Sequence, residues 1–228
     1  MTLGMDTEFV LDVDSDVSLS PELVAAVHAF CDRVEDLAAG LVAVLRVNGT
    51  DQPGAGRPWP GEVNVHLVGK WEQALRRVER LGPASIAVAG GNCGGPALEL
   101  LLAGDYRIGL RDLRLAVPVG PGGSWPGMAL YRLANQLGVA RSRAVLLFEQ
   151  SFSAQRALEV GLVDELVDDR DAAVEAVRTR SAALSGDAGV DVAVRRRLLL
   201  DAATMSFEDA LGAHLAACDR ALRQTRPD

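Results

Sequence analysis

From Ala84 to Leu110 the chain reads "ASIAVAGGNCGGPALELLLAGDYRIGL". The opening run, "ASIAVAG" (84–90), is apolar and uncharged, as expected of a strand buried on both faces. Such a strand implies a parallel sheet covered by helices on either side. The glycines that follow let the backbone turn sharply and approach a neighbour or ligand closely. A proline then opens a short apolar helix that carries one glutamate, Glu99, expected in its first turn. A helix N-terminus at the end of a strand offers free N–H groups and a partial positive charge. A carboxylate there either moves protons or complements the helix dipole.

The flanking segments repeat the same order. "EFVLDVD" (8–14) alternates apolar and polar residues and predicts a strand. Ser20 and Pro21 read as an N-cap and first-turn proline, opening a helix striped by Leu23, Val27, Phe30, Val34 and Leu37. "LVAVLRV" (41–47) predicts a second buried strand. A helix over 63–82 follows, with Val68, Trp71, Leu75 and Val78 on one face and Gly82 as its stop. "YRIGL" (106–110) and "LRLAV" (113–117) predict short strands about an Arg111–Asp112 turn. Beyond them the chain is mostly helical, with N-caps at Ser153 and Ser206. Alternating strands and helices predict an α/β fold with a parallel sheet, followed by helices at 169–184, 190–203 and 206–224.

With 228 residues the chain can bury one sizeable core. A formal net charge of −8 argues against a general nucleic-acid or membrane-surface binder, each of which needs a basic face. Cys31, Cys93 and Cys218 are scattered and lack metal-ligand spacing, so they read as reduced thiols. No targeting segment or membrane-length apolar run is visible, and a cytoplasmic protein is expected.

Ligands in α/β folds gather where strands end and helices begin. Three loops, 48–62, 90–96 and 120–127, qualify and are all glycine-rich. None matches a phosphate loop or the G-x-G-x-x-G dinucleotide pattern. Cys93 lies in the central turn without a histidine near it in sequence. His66 lies close to the first loop, while His28 and His214 fall on amphipathic helices. Trp59 and Trp125 sit in two of the loops, either lining a pocket for an aromatic ring or pinning the loops.

From Pro83 to Val167 the chain resembles the crotonase (enoyl-CoA hydratase/isomerase) superfamily. That family's helix carries "E-L-x-L-A-x-D-x-R-I", matched by Glu99-Leu100-Leu101-Leu102-Ala103-Gly104-Asp105-Tyr106-Arg107-Ile108. A later pattern is matched by Ser153-Ala154, Ala157-Leu158, Gly161-Leu162-Val163-Asp164 and Val167, and Pro121-Gly122-Gly123 matches a glycine loop loosely. The resemblance implies a ββα spiral core over 1–168 and a helical oligomerisation segment over 169–228. It also implies a coenzyme A thioester as substrate, no further cofactor and no metal.

In that family two backbone N–H groups hold the thioester oxygen, an arrangement that supplies several kcal/mol to the transition state. Two glutamates move protons. Glu99 matches the first; the second would lie 20 residues later, after Pro118, where Val119 stands. The usual donor three residues before the glutamate is Pro96, which has no N–H, leaving Gly95 or Ala97. For the other donor Gly61 or Glu62 of "PWPGE" is the positional match, with Ala55-Gly56 as rival. Trp59, Gly94, Pro118, Val119, Gly122 and Gly123 would line the substrate, with CoA held between the first two loops. The "RRR" at 195–197 reads as a solvated helix face, or as a contact for CoA phosphates.

Within the superfamily the short chain and "CGGPALELLLAGDYRI" most resemble the small crotonase-like enzymes of 3,5-dihydroxyphenylglycine biosynthesis. These imply a type III polyketide synthase as partner and dehydration and aromatisation to 3,5-dihydroxyphenylacetyl-CoA. They also imply assembly as trimers or hexamers, or with a second crotonase-like chain. Two other readings remain open. One is a catalytically degenerate partner of the synthase; the other is a hydratase or isomerase acting on another acyl-CoA.

Overall fold

Alternation of buried strands and one-faced helices carries through to the tertiary structure. A computed structural model describes residues 10–36, 42–51, 59–117, 119–120, 123–148, 151–183 and 187–224. In chain order the first elements are β1 (Val10–Asp14), α1 (Pro21–Glu35), β2 (Ala43–Asn48), α2 (Val65–Glu79) and β3 (Ser85–Gly90). Then come β4 (Asn92–Cys93), α3 (Gly95–Ala103), β5 (Tyr106–Leu110), β6 (Arg114–Ala116), β7 (Val119–Gly120) and β8 (Gly123–Ser124). The remainder is α4 (Ala129–Leu137), α5 (Val139–Leu147), β9 (Ser151–Ser153), α6 (Ala154–Val160), β10 (Glu165–Val167), α7 (Arg170–Ala182), α8 (Asp187–Ala202) and α9 (Phe207–Gln224).

The main sheet runs β1-β2-β3-β5-β10, parallel throughout, with β3 at its centre. A second sheet, β4-β6-β9, lies beyond the turn after β3. The Arg111–Asp112 turn therefore does not make a hairpin: it passes the chain from one sheet to the other. Ser20 caps α1 through Leu23 N–H (3.1 Å), and Val27, Phe30 and Val34 are buried; Leu37 lies outside the described residues. Asn64 caps α2, which buries Trp71, Leu75 and Val78 and ends at Glu79 with Arg80 as its C-cap, short of Gly82. Ser153 and Ser206 each accept the N–H three residues on, as N-caps do.

Helix α3 is buried on every side: all nine of its residues are inaccessible. A helix apolar all round belongs inside the core. Its C-terminal carbonyls cannot reach water and need protein donors. Arg107, itself buried, supplies Nε to Gly104 O (3.1 Å) and Nη2 to Leu102 O (3.0 Å), joined by Gln136 Nε2 at 2.9 Å. Asp105 accepts from Ser85 N–H (2.8 Å) and Oγ (2.9 Å), while Asp164 accepts from Arg107 N–H (2.8 Å). Asp105, Arg107 and Asp164, which the resemblance rests on, thus lock α3 to the sheet.

One expectation fails at the C-terminus. Arg196 is not on a solvated face: its side chain is 9 % exposed and pairs with Asp105 at 2.6 Å. It also donates to Glu79 O (2.6 Å) and Leu81 O, which pins α8 to the core. Helix α9 lies along α8 and leaves Phe207, Leu211, Leu215 and Leu222 exposed. Among the described residues no helix is long and apolar enough to cross a membrane.

Candidate functional site

All three glycine-rich loops meet around the start of α3. The chain leaving β2 crosses the chain leaving β3: Gly49 donates to Gly90 O (2.8 Å), and Thr50 and Asn92 exchange N–H···O bonds of 3.1 and 2.9 Å. A side chain at Gly49 would collide with the Gly90–Asn92 backbone, so glycine is required there. Gly95 begins α3 at φ +49°, and Trp59 from the first loop lies against its Cα. From the third loop, a methyl at Gly127 would meet Glu99 Oε1 at 3.0 Å and the Trp125 indole nitrogen. Trp59 of the first loop and Gly127 of the third thus both lie close to the Glu99 carboxylate.

Glu99 is the fifth residue of α3, in its second turn rather than its first, and is 1 % exposed. Complementing the helix dipole at a solvated N-terminus is therefore not its role. A lone polar side chain in a wholly buried helix must find partners. It finds two indoles: Trp71 Nε1 donates to Oε2 at 2.5 Å and Trp59 Nε1 to Oε1 at 3.4 Å. The two rings pack edge to face, with centroids 5.6 Å apart. Both donors are neutral. Burial pushes the Glu99 carboxyl up to about 7, with Glu72 adding to the rise and Trp71, Arg132 and Trp59 opposing it. A carboxyl poised there can give or take a proton near neutral pH.

Arg132 of α4 stands behind this cage. It is 6 % exposed and reaches Glu72 (2.9 Å) and Glu79 (2.5 Å), both on α2. Its field and that of Glu72 act on Glu99 in opposite directions.

The raised pKa has a consequence for stability. An acid that holds its proton more tightly when folded stabilises the fold at low pH and loses that contribution as pH rises. For Glu99 the contribution is full below the ordinary value of 4.5 and is lost as pH rises through about 7. The urea midpoint of the native chain should therefore fall relative to that of Glu99→Gln between about pH 5 and about pH 8. Parallel profiles would mean that the carboxyl titrates as if in water.

The remaining candidates are distributed as follows. Ala97 donates its N–H to Gly94 O (3.1 Å), whereas Gly95 N–H donates to no group among the described residues. Gly94 is the N-cap of α3. Gly61 (φ +87°) and Glu62 are exposed, and Gly61 O accepts from Val63 N–H at 3.1 Å. Val119 and Gly123 belong to the β7–β8 ribbon. Pro118, Gly122 and Ala55-Gly56 lie outside the described residues. Cys93 is buried, donates to Gly90 O (3.3 Å) and is pushed up to about 12 by burial and by Asp112, so it is no nucleophile. His66 is exposed on α2. Among the described residues no three His, Cys, Asp or Glu side chains gather in a way that would hold a metal ion.

Trp71, Glu72, Glu79 and Arg132 escaped the reading of the sequence. Trp71 falls on the one apolar face that the periodicity predicts for this helix, where packing alone would account for it. A buried indole needs an acceptor for its N–H, and a buried glutamate needs donors, so the two could have been matched.

The enoyl-CoA hydratase/isomerase family model matches residues 49–215. An "Enoyl-CoA-hydratase" from Amycolatopsis orientalis is 47 % identical over 221 residues, 96 % of this chain and 98 % of that protein. The crystal structure of an enoyl-CoA hydratase/isomerase from Marinobacter aquaeolei superposes with a TM-score of 0.77 at 18 % identity, covering 94 % of this chain and 88 % of the other. An enoyl-CoA hydratase from Bacillus anthracis gives 0.72 at 21 % identity, covering 94 % and 88 %.

Proposed function

Because this chain belongs to the enoyl-CoA hydratase/isomerase family, we propose that it acts on a coenzyme A thioester, with Glu99 as its single acid–base group. The observation that carries this reading is a buried carboxylate held only by neutral indole donors and raised to about 7. Gly95 N–H is one donor to the thioester oxygen, since Ala97 N–H is committed. The exposed Gly61–Glu62 backbone offers the second. CoA lies between the first two loops.

One carboxylate suits an elimination. Glu99 takes the proton from Cα, the charge passes to the thioester oxygen, and the β C–O bond breaks. The same proton then goes to the departing hydroxide as water, which leaves Glu99 ionised again. With Val119 where a second acid would stand, addition of water to a simple enoyl-CoA is slower than a dehydration driven by ring formation. The match of "CGGPALELLLAGDYRI" supports the finer reading, dehydration and aromatisation to 3,5-dihydroxyphenylacetyl-CoA beside a type III polyketide synthase. Titration calorimetry with CoA and acetyl-CoA tests the thioester site, and absence of binding at millimolar ligand would exclude it. Synthase and malonyl-CoA, with and without this protein, test the finer reading by their products.

A second reading is a partner that raises the synthase's output without chemistry of its own. The closure of Glu99 beneath Trp59 favours it. In either case the exposed Phe207, Leu211, Leu215 and Leu222 stripe on α9 is apolar surface for a homo-oligomer or a crotonase-like partner. Sedimentation should show a species larger than the 24.1 kDa chain at micromolar concentration. A monomer alone and with its synthase would exclude assembly.

A further inference from the structure

The two indoles on Glu99 are not equivalent. Trp71 belongs to the body of α2, is 1 % exposed and holds Oε2 at 2.5 Å. Trp59 comes from the loop before α2 and holds Oε1 at 3.4 Å, beyond the usual range for such a bond. Its ring also covers the start of α3. A methyl built on Gly95 would lie 3.1 to 3.3 Å from Trp59 Cβ, Cγ and Cδ2. One indole therefore stands both before the carboxylate and over the residue whose N–H has no partner among the described residues. Glycine at 95 is what lets the ring come so close.

A thioester that touched both Gly95 N–H and the Glu99 carboxylate would need the space that this ring fills. That space is the size of an indole, lies beside a second indole at 5.6 Å between centroids, and has a carboxylate acceptor at one end. We propose that Trp59 is a displaceable stand-in for substrate, and that an aromatic or aromatising acyl group of similar size takes its place on Gly95 and Glu99. This rests on the thioester reading above and adds to it the side chain that an acyl group must displace to reach Glu99. Trp71 is the positioning residue that keeps Glu99 aimed while Trp59 leaves. Departure of Trp59 removes one N–H from the carboxylate, and an anion that loses a donor becomes the stronger base. Proton removal is thereby tied to occupancy. The closed site is also protected from water.

The test uses the full chain labelled with 5-fluorotryptophan, whose three tryptophans, Trp59, Trp71 and Trp125, give separable fluorine resonances. Trp59→Phe assigns the Trp59 signal. Phenylacetyl-CoA should move that resonance to the position of a solvated indole and leave the Trp71 resonance in place, whereas CoA alone should move neither. In Trp59→Gly free indole should bind in the vacated space, phenylacetyl-CoA should compete with it, and phenylacetyl-CoA should bind at least about tenfold tighter than to the native chain, because no closed state has to be opened. If phenylacetyl-CoA binds the native chain and the Trp59 resonance stays where it was, the proposal is wrong and the thioester reading survives. If neither CoA nor phenylacetyl-CoA binds any form, both fall together. The fluorine measurement needs no destabilised variant, so it decides even if Trp59→Gly does not fold.

Discussion

Glu99→Gln should lower formation of the dehydrated product by at least about tenfold, because a positioned acid–base group contributes roughly 10²–10⁴-fold. Glutamine matches glutamate in shape but cannot take a proton. Position 119 holds a valine, so no second acid is available there to carry the reaction in its place. The variant is not silent for the fold, however, because the side chain is buried. The amide oxygen accepts from one indole, and the amide nitrogen then faces the other indole's N–H, donor to donor. An orphaned buried donor costs about 1–3 kcal/mol. At low pH, where the native chain keeps Glu99 protonated, the variant should be the less stable of the two. Above about pH 7 the gap should narrow, since the native chain then bears a buried charge. Product yield is accordingly compared at equal folded fraction. Full yield of dihydroxyphenylacetyl-CoA from a folded Glu99→Gln chain would make Glu99 a structural acceptor for two indoles and leave the synthase-partner reading in possession.

The second large effect is on stability. Arg132→Met should destabilise the chain by about 3–5 kcal/mol, the range seen when one partner of a buried ion pair is removed. Arg132 is 6 % exposed and joins α4 to Glu72 and Glu79 on α2, whose carboxylates are themselves largely shielded. Deleting the guanidinium leaves those two charges facing each other with little water to screen them. Arg132→Lys keeps the charge but cannot reach both carboxylates in one plane, so a smaller loss is expected. Urea midpoints of the three chains measure this. The same variants report on the site. Arg132 holds the Glu99 pKa down, so its loss should move the acid limb of the pH–rate profile upward in Met and leave it nearly in place in Lys. Equal midpoints for the Met and native chains would show that the triad contributes nothing net.

Much of the architecture could be read before any coordinates. "ASIAVAG" had to be a central parallel strand because an uncharged apolar run leaves no face for water. Ser20, Ser153 and Ser206 announced three helix starts through the single N–H each one satisfies. The first two loops could be grouped because β2 and β3, parallel neighbours, end at one edge of the sheet, whereas the third runs through the antiparallel β7–β8 ribbon. Where the reading erred, the missing quantity was depth. The pattern predicts Glu99 in a first turn and Arg196 on a solvated face, whereas Glu99 is buried and the Arg196 guanidinium is paired against the core. Chain order shows which side of its own helix a residue occupies, but not what a distant segment lays over it.

Local pattern and spacing thus determined the alternation of strands and helices, several helix starts, the family resemblance and the one glutamate on which the chemistry would turn. These depend on neighbours a few residues away, and short-range sterics and hydrogen bonding express themselves in a one-dimensional pattern. Only the tertiary structure decided how that glutamate is held. Its two donors lie 40 and 28 residues upstream, at Trp59 and Trp71, and Arg132 reaches it from a third element. Such contacts are made by packing across the core. The charge on Glu99 depends on how completely α2, α3 and the loop at Trp59 exclude water, and no run of letters along the chain carries that.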